Sequence, residues 1–586
     1  MTSTSAFEAV ALRRRLSDVP FLSALDESSL SVLETELEWL SVPGGCTLFN
    51  EEEVADALYV VITGCLGVTV RSGDGQDVLV ALARAGETIG EMALLGGETR
   101  SATVIAIRDT EVLRLGRVSY ERLVKRHPRL MLPLLSLLVQ RLRNTTHRAD
   151  PAARIRTLAL VPMGSDERHI QFARDLADEL AVGGQRVRLL DSKVADNTTE
   201  WFNAAETSSD LVVYHAEPAD SVWTKLCLRQ ADRVLLMAMG DTMVQVPAWV
   251  AGDAKDCRRP FDLALLHSSS SGAPKSLKHW REQLPIDFLC HVRHGNANDL
   301  ARLGRLLTGK AVGLVLGSGG ARGFAHLGVI RALREAHIPI DLIGGCSMGA
   351  IIGAGVALEW DDAEMRERLR RAFVASNPIN DYALPFIALT RGRKVAGRLH
   401  EHFGSIRIDD LWRPYFCVST NLTMGTMAVH RDGPLVQALR ASVAIPGLMP
   451  PVLMEGAAHV DGGMMNCLPV DVMSSMRRGR VIAVDVASDP ALGSLGEGNG
   501  PSSVWHFLRH GRKVPPIVDL LVRAGTVSSD ALARRAREQA DVLFKPPLET
   551  VDLLDWQACD YAIGVGYRHA IGQLEHADKS GLSAPW

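Results

Sequence analysis

Two glycine-rich turns, each delivered by an apolar run and each opening into a helical stretch, constrain this chain more than any other feature. Val312-Gly313-Leu314-Val315-Leu316 leads into Gly317-Ser318-Gly319-Gly320-Ala321-Arg322-Gly323, and Ile340-Asp341-Leu342-Ile343-Gly344 leads into Gly345-Cys346-Ser347-Met348-Gly349. Strand–turn–helix units of this kind build α/β domains. The second turn has the Gly-x-Ser-x-Gly pattern, which sets a serine on a sharp strand-to-helix turn where Gly345 and Gly349 avoid side-chain clashes. The first turn offers bare backbone N–H groups, the donors a developing oxyanion needs. Together they predict a serine hydrolase with Ser347 as nucleophile.

A serine hydroxyl is a poor nucleophile until a base takes its proton. His459-Val460-Asp461-Gly462-Gly463 supplies a carboxylate at a strand end before a glycine turn, 114 residues after Ser347. A carboxylate is a weak base at its reference pKa, so a Ser–Asp pair needs partial desolvation of the acid. No histidine holds an obvious triad position. His506, His510, His569 and His576 follow Asp461, and one of them could complete a Ser…Asp…His order. His459 faces the same side of its strand as Asp461 and reads as a neighbour. A Rossmann fingerprint would want an acidic residue about twenty positions after the first glycine turn. Gly344-Gly345-Cys346-Ser347 stands there instead.

Gly317–Gly323, Gly345–Gly349 and Asp461-Gly462-Gly463 resemble the three signatures of patatin-like phospholipases, as do residues 442–451, Asn466 and Pro469. The resemblance implies a Ser347–Asp461 dyad without histidine. It also implies an oxyanion hole from the backbone around Gly319 and Gly320, within the Gly317–Gly323 loop, with Arg322 supporting that loop. Ser318 departs from the usual glycine but keeps its N–H.

The N-terminal part reads differently. Residues 43–116 carry short β-type runs, at 58–62, 67–70 and 78–80, punctuated by turns such as Gly73-Asp74-Gly75. This spacing predicts a small all-β roll, with helices near 27–39 and 117–146. Within it, Gly90-Glu91-Met92-Ala93 followed by Arg100-Ser101 resembles the phosphate-binding cassette of cyclic nucleotide-binding domains. Arg100 can pair with a phosphate, with help from backbone N–H groups and the Ser101 hydroxyl. Glu91 can accept a hydrogen bond from the ribose. The implied regulatory ligand is cyclic AMP or cyclic GMP, and the base is left open.

Residues 147–310 open on a polar linker and then alternate strands (155–161, 185–190, 211–215, 234–237, 263–267) with helices such as 170–181. That alternation predicts an α/β domain with a parallel sheet. The expected fold class is therefore multidomain: a nucleotide-binding-like roll with flanking helices at 1–146, an intermediate α/β domain at 147–310 and an α/β hydrolase domain at 311–586. This order resembles the neuropathy target esterase family. Trp223-Thr224, Leu226–Asp232, Asp410–Phe416 and Val429–Gly433 are further family-like stretches. The resemblance implies hydrolysis of ester bonds in lysophospholipids or phospholipids, with one nucleotide module where larger relatives have several and without their N-terminal membrane anchor.

Composition is compatible with this. The formal net charge of −4 carries no nucleic-acid signature, and nine cysteines without a Cys-x-x-Cys pair indicate neither a zinc site nor a disulfide framework. No metal is expected. The first residues lack the apolar core of a signal peptide, and the longest apolar stretch, residues 351–358, is too short to span a bilayer. The expected location is cytoplasmic, with peripheral contact to a membrane. Residues 384–398 mix apolar and basic side chains. They read either as a membrane-facing cap or as a core element with a solvated basic face. Two other functions stay open from the residues alone: a Ser–Asp–His esterase for small soluble esters, and a non-enzymatic cyclic nucleotide receptor in which the hydrolase domain is a scaffold.

Overall fold

The computed structural model describes residues 36–71, 77–91, 99–126, 155–240 apart from 198, 246–250, 261–268, 280, 283, 284, 286–384, 386–487 and 529–579. Its contacts divide the chain into two units, residues 1–266 with 278–289 and residues 267–277 with 290–586.

In the first unit, β-branched and aliphatic runs form two four-stranded sheets among the described residues. One runs in the order β1 (Leu37–Val42), β8 (Thr110–Gly116), β3 (Ala57–Thr63), β6 (Thr88–Ile89). The other runs β2 (Thr47–Phe49), β7 (Thr103–Ala106), β4 (Cys65–Arg71), β5 (Asp77–Arg84). Their inward residues, among them Val42, Tyr59, Leu66, Val104 and Val112, form one apolar core. This is the expected roll. Of the helix expected over 27–39, residues 27–35 lie outside the described residues, and Leu37–Val42 is a strand, β1, paired antiparallel with β8. Burial of Val42 in the roll core outweighs local pattern there. Of the helix expected over 117–146, Arg117–Arg126 is seen and the remainder lies outside the described residues.

The same unit holds most of a third sheet, in the order β10 (Val187–Leu190), β11 (Leu211–His215), β9 (Thr157–Pro162), β12 (Arg233–Met239), β13 (Phe261–His267), β14 (Ile286–Arg293). The pairs from β10 through β13 are parallel, as the alternation of strands and helices requires. A buried ionic seam joins the roll to this sheet's layer. Arg108, between β7 and β8, reaches Glu206 at 2.6 Å and Asp232 at 3.2 Å.

The second unit is built on a sheet of order β19 (Val452–Met454), β20 (Ala457–Asp461), β17 (Tyr415–Asn421), β16 (Leu342–Cys346), β15 (Ala311–Leu316), β21 (Gly479–Val484), β22 (Val542–Phe544), with β18 (Thr426–His430) paired to β17. The stretch from β17 to β22 is parallel, while β18 and β20 pair antiparallel with β17, and β19 pairs antiparallel with β20. Central parallel strands are covered on both faces and read as continuous apolar runs, and every residue of β15 and β16 is buried. The helix Met348–Ala357 behind Ser347 is buried throughout.

Candidate active site

Strand register brings the site together. Leu316 of β15 lies opposite Gly345 of β16, so the two glycine turns leave adjacent parallel strands side by side. Cys346 of β16 is level with Val418 of β17, and Ser419, one residue on, is level with Asp461 of β20. Ser347 and Asp461 therefore meet across β17 at the C-terminal edge of the parallel strands, where open α/β sheets hold their ligands.

At the elbow Ser347 adopts φ 54°, ψ −121°, a backbone state that costs a non-glycine residue on the order of 1–3 kcal/mol. The neighbouring glycines are required by contact: a Cβ on Gly349 would stand 2.2 Å from the Leu316 carbonyl oxygen, and one on Gly345 2.6 Å from that of Gly349. The turn aims the Ser347 hydroxyl at Asp461, with Oγ donating to Oδ2 at 2.7 Å. The other carboxylate oxygen accepts the Gly463 N–H at 2.8 Å. Burial pushes the Asp461 carboxyl up to about 6, against the downward pull of the Gly463 N–H and the Ser347 hydroxyl. The acid is thus ionised at neutral pH and a better base than an exposed aspartate.

Sequence reasoning missed the residues that hold this pair. Ser442 Oγ accepts the Ser347 N–H at 3.0 Å, and the Ala444 carbonyl accepts the Asp461 N–H at 2.9 Å. Both fall within residues 442–451, where a serine and an alanine carbonyl carry no signature of these contacts. Buried His326 binds the Gly317 carbonyl through Nε2 at 2.9 Å, and burial holds its imidazole down at about 4, so it is neutral and structural. No spacing in the sequence pointed to it.

In the first turn the amides are sorted. Gly317 N–H goes to Val484 O, Ser318 N–H to Cys467 O, Ala321 N–H to Leu553 O and Arg322 N–H to Gly319 O. Those of Gly319 and Gly320 have no acceptor among the described residues. Two unspent donors beside a nucleophile are what a tetrahedral oxyanion requires. Arg322 Nε donates to Val551 O at 2.7 Å, which fastens the loop from outside the site. Gly462 stands tight against the Val418 carbonyl, at 2.5 Å from a would-be Cβ.

The histidines stand elsewhere. His569 Nε2 accepts from the Lys545 N–H, and His576 is exposed on the helix Cys559–Lys579. His506 and His510 lie outside the described residues. His459 and His430 both meet the Ser419 hydroxyl, at 2.9 and 2.7 Å, rather than the dyad.

In the roll, Gly90, Glu91, Arg100 and Ser101 are described, while Met92 and Ala93 lie outside the described residues. Glu91 and Arg100 are buried and Ser101 is exposed. The Arg100 guanidinium binds the carbonyls of Ala57 at 2.8 Å and Gly90 at 3.2 Å and the Asp56 carboxylate at 3.3 Å, and it lies over the Phe49 ring at 4.1 Å. Gly90 sits at φ +85°, a backbone conformation that residues with side chains rarely adopt. The residue types suit a cyclic phosphate and a ribose, but an incoming phosphate has to displace oxygens already on the arginine.

Residues 314–474 match the family model for patatin-like phospholipase, residues 39–127 that for the cyclic nucleotide-binding domain, and residues 154–294 that for the Neuropathy Target Esterase family P-loop like domain. The three matches follow one another along the chain, and one of them is to a domain named for the Neuropathy Target Esterase family. It is 28% identical to patatin-like phospholipase domain-containing protein 6 of Homo sapiens, over 92% of this chain and 44% of that protein. It is 27% identical to neuropathy target esterase sws of Drosophila melanogaster, over 93% and 43%. It is 28% identical to lysophospholipase NTE1 of Mycosarcoma maydis, over 94% and 34%. The chain thus spans less than half the length of these relatives. The roll lies almost wholly within the cyclic nucleotide-binding match, strands β9 to β14 within the P-loop like match, and Ser347 and Asp461 within the patatin-like match. Among the described residues there is no cluster of three or more His, Cys, Asp or Glu able to hold a metal, and no helix long and apolar enough to cross a membrane.

Proposed function

We propose that this chain is a lipid esterase that cleaves carboxylic ester bonds of lysophospholipids or phospholipids through Ser347 and Asp461, with a cyclic nucleotide as regulatory ligand. The observation that carries the proposal is the 2.7 Å bond from Ser347 Oγ to a buried carboxylate whose pKa is raised to about 6. As Oγ attacks the ester carbonyl carbon, Asp461 takes its proton. The oxyanion forms against the Gly319 and Gly320 N–H groups. Collapse expels the alcohol, which takes the proton from Asp461, and leaves an acyl-Ser347. Asp461 then deprotonates a water that attacks the acyl carbon, and the fatty acid leaves as Ser347 regains its proton.

A lipid is favoured over a small ester by the match of residues 314–474 to the patatin-like phospholipase model. The location we infer is cytoplasmic, at a membrane surface. The test is an activity panel of lysophospholipids, phospholipids and short-chain esters, read as released fatty acid. Preference for long acyl chains is expected, and preference for short soluble esters would reverse the assignment.

The pH profile follows from the raised carboxyl. The base works only when ionised, so kcat/KM should rise as pH rises through about 6 and level off above it. A rate that is flat from pH 5 to 8 would remove Asp461 as the base.

For the nucleotide module, Arg100 is the phosphate partner and Glu91 the ribose partner in this reading. A hydrogen bond to a charged group is worth about 1.5–3 kcal/mol, so Arg100→Ala should weaken binding of cyclic AMP or cyclic GMP at least tenfold. Asp56 competes with the phosphate for the same guanidinium, so Asp56→Asn should tighten binding. Calorimetry with both nucleotides checks this, and esterase assays at saturating nucleotide check coupling. No binding heat with either would reduce the roll to a structural module.

A further inference from the structure

One loop of the hydrolase unit presents its apolar side chains to water. Tyr382, Leu384, Phe386 and Ile387 are 74%, 77%, 89% and 74% exposed. Contiguous exposed apolar side chains mark interaction sites in soluble proteins. This loop is also held in place. Tyr382 bridges to Thr390, and Ala383 N–H bonds Leu389 O at 2.9 Å. Leu389 N–H reaches Gly447 O at 2.8 Å, and Thr390 donates through both N–H and Oγ1 to Leu448 O, at 3.0 and 2.7 Å. Ala388 and Thr390 are buried, so the stem is packed while the tip points out.

A basic collar follows the tip. Arg391, Arg393 and Lys394 are exposed and form no ion pair among the described residues. The local acid, Asp381, is turned toward the backbone, where it accepts the N–H groups of Arg393 at 2.7 Å and Lys394 at 3.2 Å. The sequence offered two readings of residues 384–398, and the structure splits them. From Arg393 the chain is a helix that buries Val395, Leu399 and Phe403 and solvates its basic face. The cap-like character is confined to the loop before it and the first turn of the helix.

The stem is tied to the dyad's own support. Residues 442–448 meet Ser347 through Ser442, Asp461 through Ala444, and the loop through Gly447 and Leu448. Six residues span at most about 20 Å when fully extended, so the stem stands no further than that from the elbow's scaffold.

We propose that residues 382–394 dock the hydrolase unit on an anionic bilayer, with Leu384, Phe386 and Ile387 among the acyl chains and Arg391, Arg393 and Lys394 at the lipid phosphates. An apolar tip with an adjoining basic collar is the pairing an anionic interface attracts. A second copy of the chain fits less well, because a two-fold contact would set one basic collar beside another. The proposal extends the lipid-esterase reading but can be tested apart from it.

The experiment is co-sedimentation of the full chain with phosphatidylcholine vesicles, with and without phosphatidylserine. The wild type should bind the phosphatidylserine vesicles more tightly, and less so at high salt. Phe386→Asp/Ile387→Asp should weaken vesicle binding roughly tenfold or more, and Arg391→Glu/Arg393→Glu should abolish the phosphatidylserine preference. Both variants should hydrolyse a soluble short-chain ester like the wild type, which shows that they are folded. Ser347→Ala should sediment like the wild type. Vesicle binding without any esterase activity would sink the hydrolase reading and leave docking in place. Unchanged vesicle binding in the double aspartate variant would overturn the proposal. So would a concentration-dependent dimer, seen by light scattering, that this variant abolishes.

Discussion

Ser347→Ala is expected to abolish ester hydrolysis while leaving the chain folded, and Asp461→Asn to do nearly the same by removing the base and keeping its shape. Groups that act as a unit lose activity non-additively, so the double variant should be no slower than either single one. The two singles should differ in stability. Asp461 has a folded pKa of about 6, above the reference value of 3.8. A raised acid contributes stability that is fully present below its unfolded pKa and lost as pH rises through the folded one. At pH 8 the ionised Asp461 therefore weighs against folding, and Asp461→Asn should melt no lower than wild type there while being inactive. A marked loss of thermal stability in Asp461→Asn at pH 8 would mean that the carboxylate is structural. The histidines are the control. His506, His510, His569 and His576 should each be replaceable by alanine without comparable loss. If one proves as necessary as Ser347, a triad replaces the dyad.

The second large effect is expected at Gly320. Its φ is +54°, and a Cβ there would stand 2.2 Å from the Leu553 carbonyl oxygen, which already accepts the Ala321 N–H. Gly320→Val must therefore move the loop and take the two unspent donors out of line. Loss of one oxyanion donor typically costs about 2.7–4 kcal/mol of transition-state stabilisation, a fall in kcat of roughly a hundredfold or more. KM should change little, because these donors act on charge that develops only during reaction. Unchanged turnover in a folded Gly320→Val protein would remove this loop from the chemistry.

The fold classes and most strands of all three regions were legible because parallel α/β sheets and β-rolls write continuous or alternating apolar runs into the sequence. Leu211–His215 was bounded as observed, whereas the helix expected up to residue 39 gave way to β1, whose partner β8 lies some seventy residues away and leaves no local trace. Of the candidate site, the glycine turns and Asp461 could be named because close backbone contact and sharp turns restrict residue type. The supporting contacts could not. Ser442, Ala444, His326 and the Val551 carbonyl act through pairings set by tertiary register, and a serine or a carbonyl carries no signature of its own. The inward posture of Arg100 was equally invisible, since the cassette's residues are the same whether the guanidinium faces a phosphate or Asp56.

Covalent trapping with a fluorophosphonate, followed by peptide mapping, tests the central claim most directly. The predicted result is a single adduct on Ser347, forming faster as pH rises through about 6, absent in Ser347→Ala and at least a hundredfold slower in Asp461→Asn. An adduct on another serine, or equal labelling of Asp461→Asn and wild type, would contradict it.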